Sequence, residues 1–175
     1  MNVLLIGLRG SGKSTIGCEL AGRLNRPFVD LDERVLATFA EASVSEVWSA
    51  HGEAAWREAE ASSLEAVLRG ADQVIALGGG TPMIADARRR IESCQRAGEA
   101  RVVYLQCDVR ELARRLTRDV GDRPSLTGED PIDEIRTVLE ARETTYQELA
   151  DFVCDVTDAT PEVAAESIEG LFRQR

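Results

Sequence analysis

Between an apolar run, Asn2 to Ile6, and a helical pattern in which Ile16, Leu20 and Leu24 recur, the chain carries Gly7-Leu8-Arg9-Gly10-Ser11-Gly12-Lys13-Ser14-Thr15. Few folds take a buried strand through a tight glycine turn and straight into a helix. Residues 7 to 14 match G-x-x-x-x-G-K-[ST] in the strand and helix context that this motif requires. The glycines let successive backbone N–H groups point inward, and the helix opening near Lys13 adds its positive end to the same anion site. Lys13 is therefore expected on the β- and γ-phosphates of a nucleoside triphosphate, with the Ser14 hydroxyl placed for Mg2+. Composition singles out the same position. Of the 21 basic residues Lys13 is the single lysine, and every other one is arginine. Arginine replaces lysine on a surface at little cost, but not where a compact ammonium must enter a phosphate cradle.

Beyond the cradle, short apolar runs alternate with helical patterns. Strands are expected at Asn2–Ile6, Phe28–Asp32, Gln73–Leu77, Val102–Leu105 and Phe152–Cys154. Helices are expected from the cradle to about Leu24, then over about Glu33–Ala40, Ser45–Ala50, Glu53–Leu68, Asp86–Ala97, Val109–Leu116 and Ile132–Leu149, with a last one opened by Pro161. Pro27 is expected to stop the first helix, and Ser43-Val44-Ser45-Glu46 fits a capping box. Asp119 to Asp130, with Gly121, Pro124 and Gly128, reads as a mobile polar loop. These spacings are too long for hairpins, so the strands join through right-handed crossovers. The expected fold is α/β, a three-layer α/β/α sandwich with a five-stranded parallel sheet. A chain of 175 residues supports one such domain, spanning 1–175. Ligands in such sheets bind beyond the carboxyl ends of the strands, after Ile6, Val29, Leu77, Leu105 and Cys154.

Several classes of function are disfavoured. A net charge of −10 repels nucleic-acid backbones and anionic membranes, so neither is expected as a partner. No apolar stretch is long enough to span a bilayer and no basic leader precedes the first strand, so a cytoplasmic protein is expected. Cys18, Cys94, Cys107 and Cys154 match no redox pair or zinc set and are expected reduced and buried. His51, the sole histidine, has no metal-binding neighbour in sequence. A GTPase would need a second lysine to read guanine. Transport and motor ATPases place an acid at the end of an apolar strand, where this chain has Gly78-Gly79-Gly80 instead. The acid must come from Asp30 and Asp32. Two apart on the second strand, they point to one side, one for the metal and the other for an acceptor. The alternative is a solvated strand end with Asp32 as the N-cap of the next helix.

Taken in order, the cradle, Asp30-Leu31-Asp32, Gly52-Glu53-Ala54-Ala55-Trp56-Arg57-Glu58-Ala59-Glu60, Leu77-Gly78-Gly79-Gly80, Arg123-Pro124, and Arg142 followed four later by Tyr146 resemble the shikimate kinases, small members of the nucleoside monophosphate kinase group. The resemblance spans almost the whole chain. It implies transfer of a phosphoryl group from ATP to the 3-hydroxyl of shikimate, giving shikimate 3-phosphate and ADP on the route to aromatic amino acids, by a monomer with a mobile lid over about 117–130. It further implies that Lys13, Asp32 and Arg123 are catalytic, and that Gly10, Ser11, Gly12, Lys13, Ser14, Thr15 and Arg118 bind ATP. Asp32, Arg57, Gly78, Gly79, Gly80 and Arg142 would bind shikimate, and Ser14 and Asp30 would serve Mg2+. The chemistry suits the acceptor, because one carboxylate calls for arginine forks and glycine permits close approach of a ring.

Each arginine also has a plainer explanation. Arg57 could pair with Glu53 and Glu60 along a helix, Arg142 could pair with nearby acids, and Arg123 could be solvated. Two departures from the family stand out. Trp56 replaces a phenylalanine, which keeps an aromatic wall, and Ser125 replaces the first of two leucines after Arg123-Pro124, which bears on lid packing and acceptor choice. The alternatives are another small-metabolite kinase, for gluconate or amino-shikimate, and a non-catalytic nucleotide-binding module.

Overall fold

The computed structural model of the protein describes the backbone over residues 1–118 and 131–173 and the side chains over 1–117 and 132–172. Residues 119–130 of the expected lid, with Arg123 and Ser125, and the side chain of Arg118 lie outside the described residues.

Five parallel strands form one sheet in the order β2-β3-β1-β4-β5: β1 Asn2–Ile6, β2 Phe28–Asp30, β3 Val74–Ala76, β4 Ala100–Gln106 and β5 Phe152–Asp155. β1 is central, pairing Val3 with Val74 and Arg101. Every residue of β1 is buried, as expected for a strand covered on both faces. Alternation divides its side chains between two cores. Leu4 and Ile6 pack with Leu31, Trp56, Leu64, Ile91 and Tyr146, while Val3 and Leu5 pack with Ile16, Leu20, Leu112, Ala165 and Ile168. The expected three-layer α/β architecture is observed.

Helices α1 (Lys13–Leu24), α5 (Val109–Arg118) and α7 (Pro161–Arg173) cover one face. Helices α2 (Leu31–Leu36), α3 (Val44–Leu68) and α4 (Ala85–Arg96) cover the other. α6 (Pro131–Leu149) serves both, through Tyr146 and Leu149 to the core around Leu4 and Ile6 and through Ile135 and Leu139 to the core around Val3 and Leu5.

The two helices expected on either side of Gly52 are both present as the two arms of α3, which is broken where Gly52 takes φ 80° and ψ 165°. Three local details differ from expectation. α1 ends at Leu24 as expected, but Asn25 rather than Pro27 stops it, taking the left-handed conformation and capping the helix through its N–H. α5 runs through Arg118, so Thr117 belongs to a helix rather than to a lid, its hydroxyl donating to the Ala113 carbonyl at 2.7 Å. The cysteines are all free, but only Cys94 and Cys107 are buried; Cys18 is exposed on α1 and Cys154 half-buried on β5. Burial pushes the thiols of Cys94, Cys107 and Cys154 above the ordinary value, which disfavours the reactive thiolate.

Candidate active site

The cradle follows β1 at the centre of the sheet. Gly7 takes φ 145°, and a Cβ there would lie 2.7 Å from the Leu105 carbonyl oxygen, so no side chain fits. Gly12 precedes α1 in a left-handed conformation with no side-chain cap, leaving the first-turn N–H groups for an anion. Lys13 curls back over the loop, its Nζ donating to the carbonyls of Gly7 and Leu8, both at 3.0 Å. Ser11 is buried, its N–H donating to the Leu8 carbonyl, so it supports the loop from within.

The two aspartates meet the cradle differently from the expectation that both lie on a strand. β2 ends at Asp30, whose Oδ1 accepts from the N–H groups of Asp32 and Glu33 at 3.0 and 3.3 Å and so starts α2. Asp30, not Asp32, is the N-cap. Its other oxygen accepts from the Ser14 hydroxyl at 2.5 Å, which joins the cap to the cradle. Asp32 lies in the first turn of α2, and the helical path carries it over the glycine turn after β3: a Cβ on Gly78 would lie 2.7 Å from Asp32 Oδ1.

Two cavities open along the carboxyl edge of the sheet. The larger, about 910 Å³, is lined by Gly10, Gly12, Lys13, Ser14, Thr15 and Asp30 and extends to Glu111, Arg114 and Arg115 of α5 and to residues 157–161 after β5. At that far end Arg115 donates to the carbonyls of Val156 and Thr157 at 2.8 and 3.2 Å and to Glu111 at 2.7 Å. Bonds from Arg114 and Arg115 hold the Glu111 carboxyl down to about 2.

The smaller cavity, about 150 Å³, is walled by Trp48 and Trp56 and takes in Arg57, Glu60, Gly78, Gly79, Gly80 and Arg142. Arg57 makes the ion pairs expected of it and also lines this cavity. It pairs with Glu53 and with the buried Glu60, each at 2.8 Å, and still lines the cavity with its guanidinium 5.9 Å from the Trp48 ring. Burial opposes the Arg57 charge, but the bonds to Glu60 and Glu53 outweigh it and raise its pKa above the ordinary value. Glu60 also accepts from the Thr81 hydroxyl, so one buried carboxylate fixes both the guanidinium and the glycine turn. Among the described residues Arg142 forms no ion pair; it reaches within 3.7 Å of where a Cβ on Gly79 would stand.

The cavities share Arg9, Asp32, Val44, Gly79 and Leu116. A group held in the cradle thus faces a group held against the glycine turn, with Asp32 between them. Such an arrangement suits transfer between two bound molecules.

Arg9, Trp48, Arg114 and Arg115 have no site role legible in sequence. Glu60 reads there only as an ion-pair partner of Arg57, and residues 157–161 only as a segment beyond a strand's carboxyl end. His51 lines neither cavity, its Nε2 lying 2.7 Å from Glu41.

Known proteins resemble this chain along nearly its whole length. The profile of the family described as Shikimate kinase matches residues 9–172. A Shikimate kinase of Symbiobacterium thermophilum is 36% identical over 98% of this chain and 96% of its own, and Shikimate kinase 2 of Sodalis glossinidius is 35% identical over 98% and 95%. Among solved structures, the shikimate kinase from Acinetobacter baumannii in complex with shikimate superposes with a TM-score of 0.89 at 28% identity, over 99% of this chain and 95% of that one. A gluconokinase from Sinorhizobium meliloti shares the fold, with a TM-score of 0.60 at 22% identity over 98% and 91%.

Proposed function

Because the chain belongs to the shikimate kinase family, we propose that its joined cavities transfer the γ-phosphoryl group of ATP to the 3-hydroxyl of shikimate, giving shikimate 3-phosphate and ADP in aromatic amino acid (chorismate) biosynthesis. The observation that carries this is the shared boundary: Asp32 and Gly79 line both the phosphate cleft and the arginine-bearing pocket.

The larger cavity takes ATP. Gly10, Gly12, Lys13 and Thr15 surround its phosphates, and the α5 arginines with residues 157–161 offer a wall for the base. In the smaller cavity Arg57 and Arg142 supply cationic donors for the shikimate carboxylate, and the glycine turn lies against the ring. Asp32 is then placed to accept from the reacting hydroxyl. Phosphoryl transfer has a loose transition state, so Asp32 contributes by orienting the nucleophile as much as by taking its proton. Lys13 offsets charge on the transferred group.

The donor set fits Mg2+. Ser14 and Asp30 bring two hard oxygens together beside the cradle, and a magnesium site of this kind uses one or two protein ligands with phosphates and water completing the shell. When bound, the ion neutralises charge on the β- and γ-phosphates. By the family resemblance, Arg123 would add charge from the lid, and Arg118, at the end of α5, would bind the nucleotide. The protein is further proposed to act as a cytoplasmic monomer. Its four free cysteines suit a reducing compartment, and no described helix is long and apolar enough to cross a membrane.

With MgATP, ADP release is expected to rise sharply when shikimate is added and to stay at background with gluconate. Stimulation by gluconate alone would move the protein to another acceptor, and nucleotide binding without turnover on either would make it a non-catalytic module. A second expectation concerns the pocket wall. A Cβ on Gly80 would lie 2.8 Å from the Arg57 Cζ, and that side chain can yield, so Gly80→Ala should swing the guanidinium away. The shikimate KM should then rise about tenfold or more with the ATP KM nearly unchanged, and the melting temperature should fall, because the buried Glu60 loses its cation partner. Equal losses for both substrates would show general damage instead.

A further inference from the structure

Three successive glycines have no side chains with which to hold their own turn, yet the turn at Gly78–Gly80 is fully tied through its carbonyls. Gly78 O accepts from the Thr81 N–H at 3.1 Å and Gly80 O from the Met83 N–H at 2.9 Å. Gly79 O accepts from the Tyr146 hydroxyl at 2.6 Å, across 67 positions of sequence. Among the described residues, no hydrogen bond is donated by the N–H groups of Gly78, Gly79 or Gly80. All three glycines line the smaller cavity. The turn therefore lines the cavity with amide donors that have no acceptor among the described residues, and such donors suit anions and hydroxyl oxygens.

The orientation of this set depends on Tyr146. In a trans peptide the C=O and the following N–H point to opposite sides, and no cis bond occurs among the described residues. Drawing the Gly79 carbonyl toward the tyrosine therefore turns the Gly80 N–H away from it. Tyr146 is fully buried and does not line the cavity, so it holds the turn from behind. Tyr104 packs beside it with ring centroids 5.2 Å apart, which fixes the ring. Burial pushes the Tyr146 hydroxyl above its ordinary value, so it remains a donor at neutral pH. One helical turn earlier on α6 stands Arg142, so a single helix sets both a carboxylate-binding cation and the amides beside it.

We propose that Tyr146 is a positioning residue for the acceptor: its hydroxyl, by holding the Gly79 carbonyl, aims the Gly80 N–H into the cavity at an acceptor oxygen. This rests on the acceptor assignment made above. Tyr146 touches neither substrate. Its effect belongs to acceptor binding and not to the nucleotide.

The test compares Tyr146→Phe with Tyr104→Phe, which removes a hydroxyl from the same stack without touching Gly79. For Tyr146→Phe the shikimate KM should rise about five- to twenty-fold, with the ATP KM within about twofold and kcat within about threefold. Tyr104→Phe should leave all three near the wild-type values. The Gly80 amide 1H–15N resonance in the free protein should move in Tyr146→Phe and stay near its wild-type position in Tyr104→Phe. The proposal is overturned if both variants behave alike, if the two KM values move together, or if the Gly80 resonance is unmoved. Should the wild-type protein release no ADP with shikimate, the kinase assignment falls. The resonance comparison then decides by itself whether Tyr146 orients the turn.

Discussion

Asp32→Asn should lower shikimate-dependent turnover by about 10²- to 10⁴-fold, the range typical for loss of a positioned proton acceptor. The substitution keeps shape while removing the negative charge. Asp32 stands in the first turn of α2, beside Gly78, at the boundary of both cavities. The fold should be unharmed, because the cap of α2 is made by Asp30. Calorimetric titration with MgADP should give an affinity within about threefold of wild type, a change below 1 kcal/mol. Turnover within tenfold of wild type would remove Asp32 from the reacting centre.

Lys13→Ala should cost about 10²- to 10³-fold in kcat, comparable to removing one preorganised donor at a charged transition state. Its ammonium already sits inside the loop, held by two carbonyls at 3.0 Å, so the phosphate meets a positioned charge. The sharper comparison is Lys13→Arg. A chain that otherwise uses only arginine should tolerate arginine here if charge alone mattered. A planar guanidinium cannot offer the Gly7 and Leu8 carbonyls the compact point charge that the ammonium does, so Lys13→Arg should recover little of the loss. Recovery of more than half the wild-type rate would show that compactness is not what the position requires.

The sheet and cradle were legible because their signals are local. An uncharged run such as Asn2–Ile6 has to be buried, and the glycine-lysine pattern that follows has one well-defined geometry. Element ends were less legible. Asp30 and Asp32 read as strand residues by alternation, and only the capping bonds from Asp32 and Glu33 to Asp30 show that the helix begins between them. Arg57 illustrates a different limit. Its spacing to Glu53 and Glu60 announces ion pairs, which form, but nothing local says that Glu60 is buried beneath a glycine turn 18 or more positions away.

The sequence by itself determined the phosphate site, the parallel α/β sheet and the family, since each is written in contiguous residues or in the order of short motifs. Only the tertiary structure decided that the two cavities meet at Asp32 and Gly79, that Arg115 reaches the carbonyls after β5, and that Tyr146 secures the glycine turn. These contacts join segments 40 or more positions apart. The packing of α5, α6 and β5 around the sheet sets their distances, and sequence spacing carries no record of how far apart two such segments come to lie.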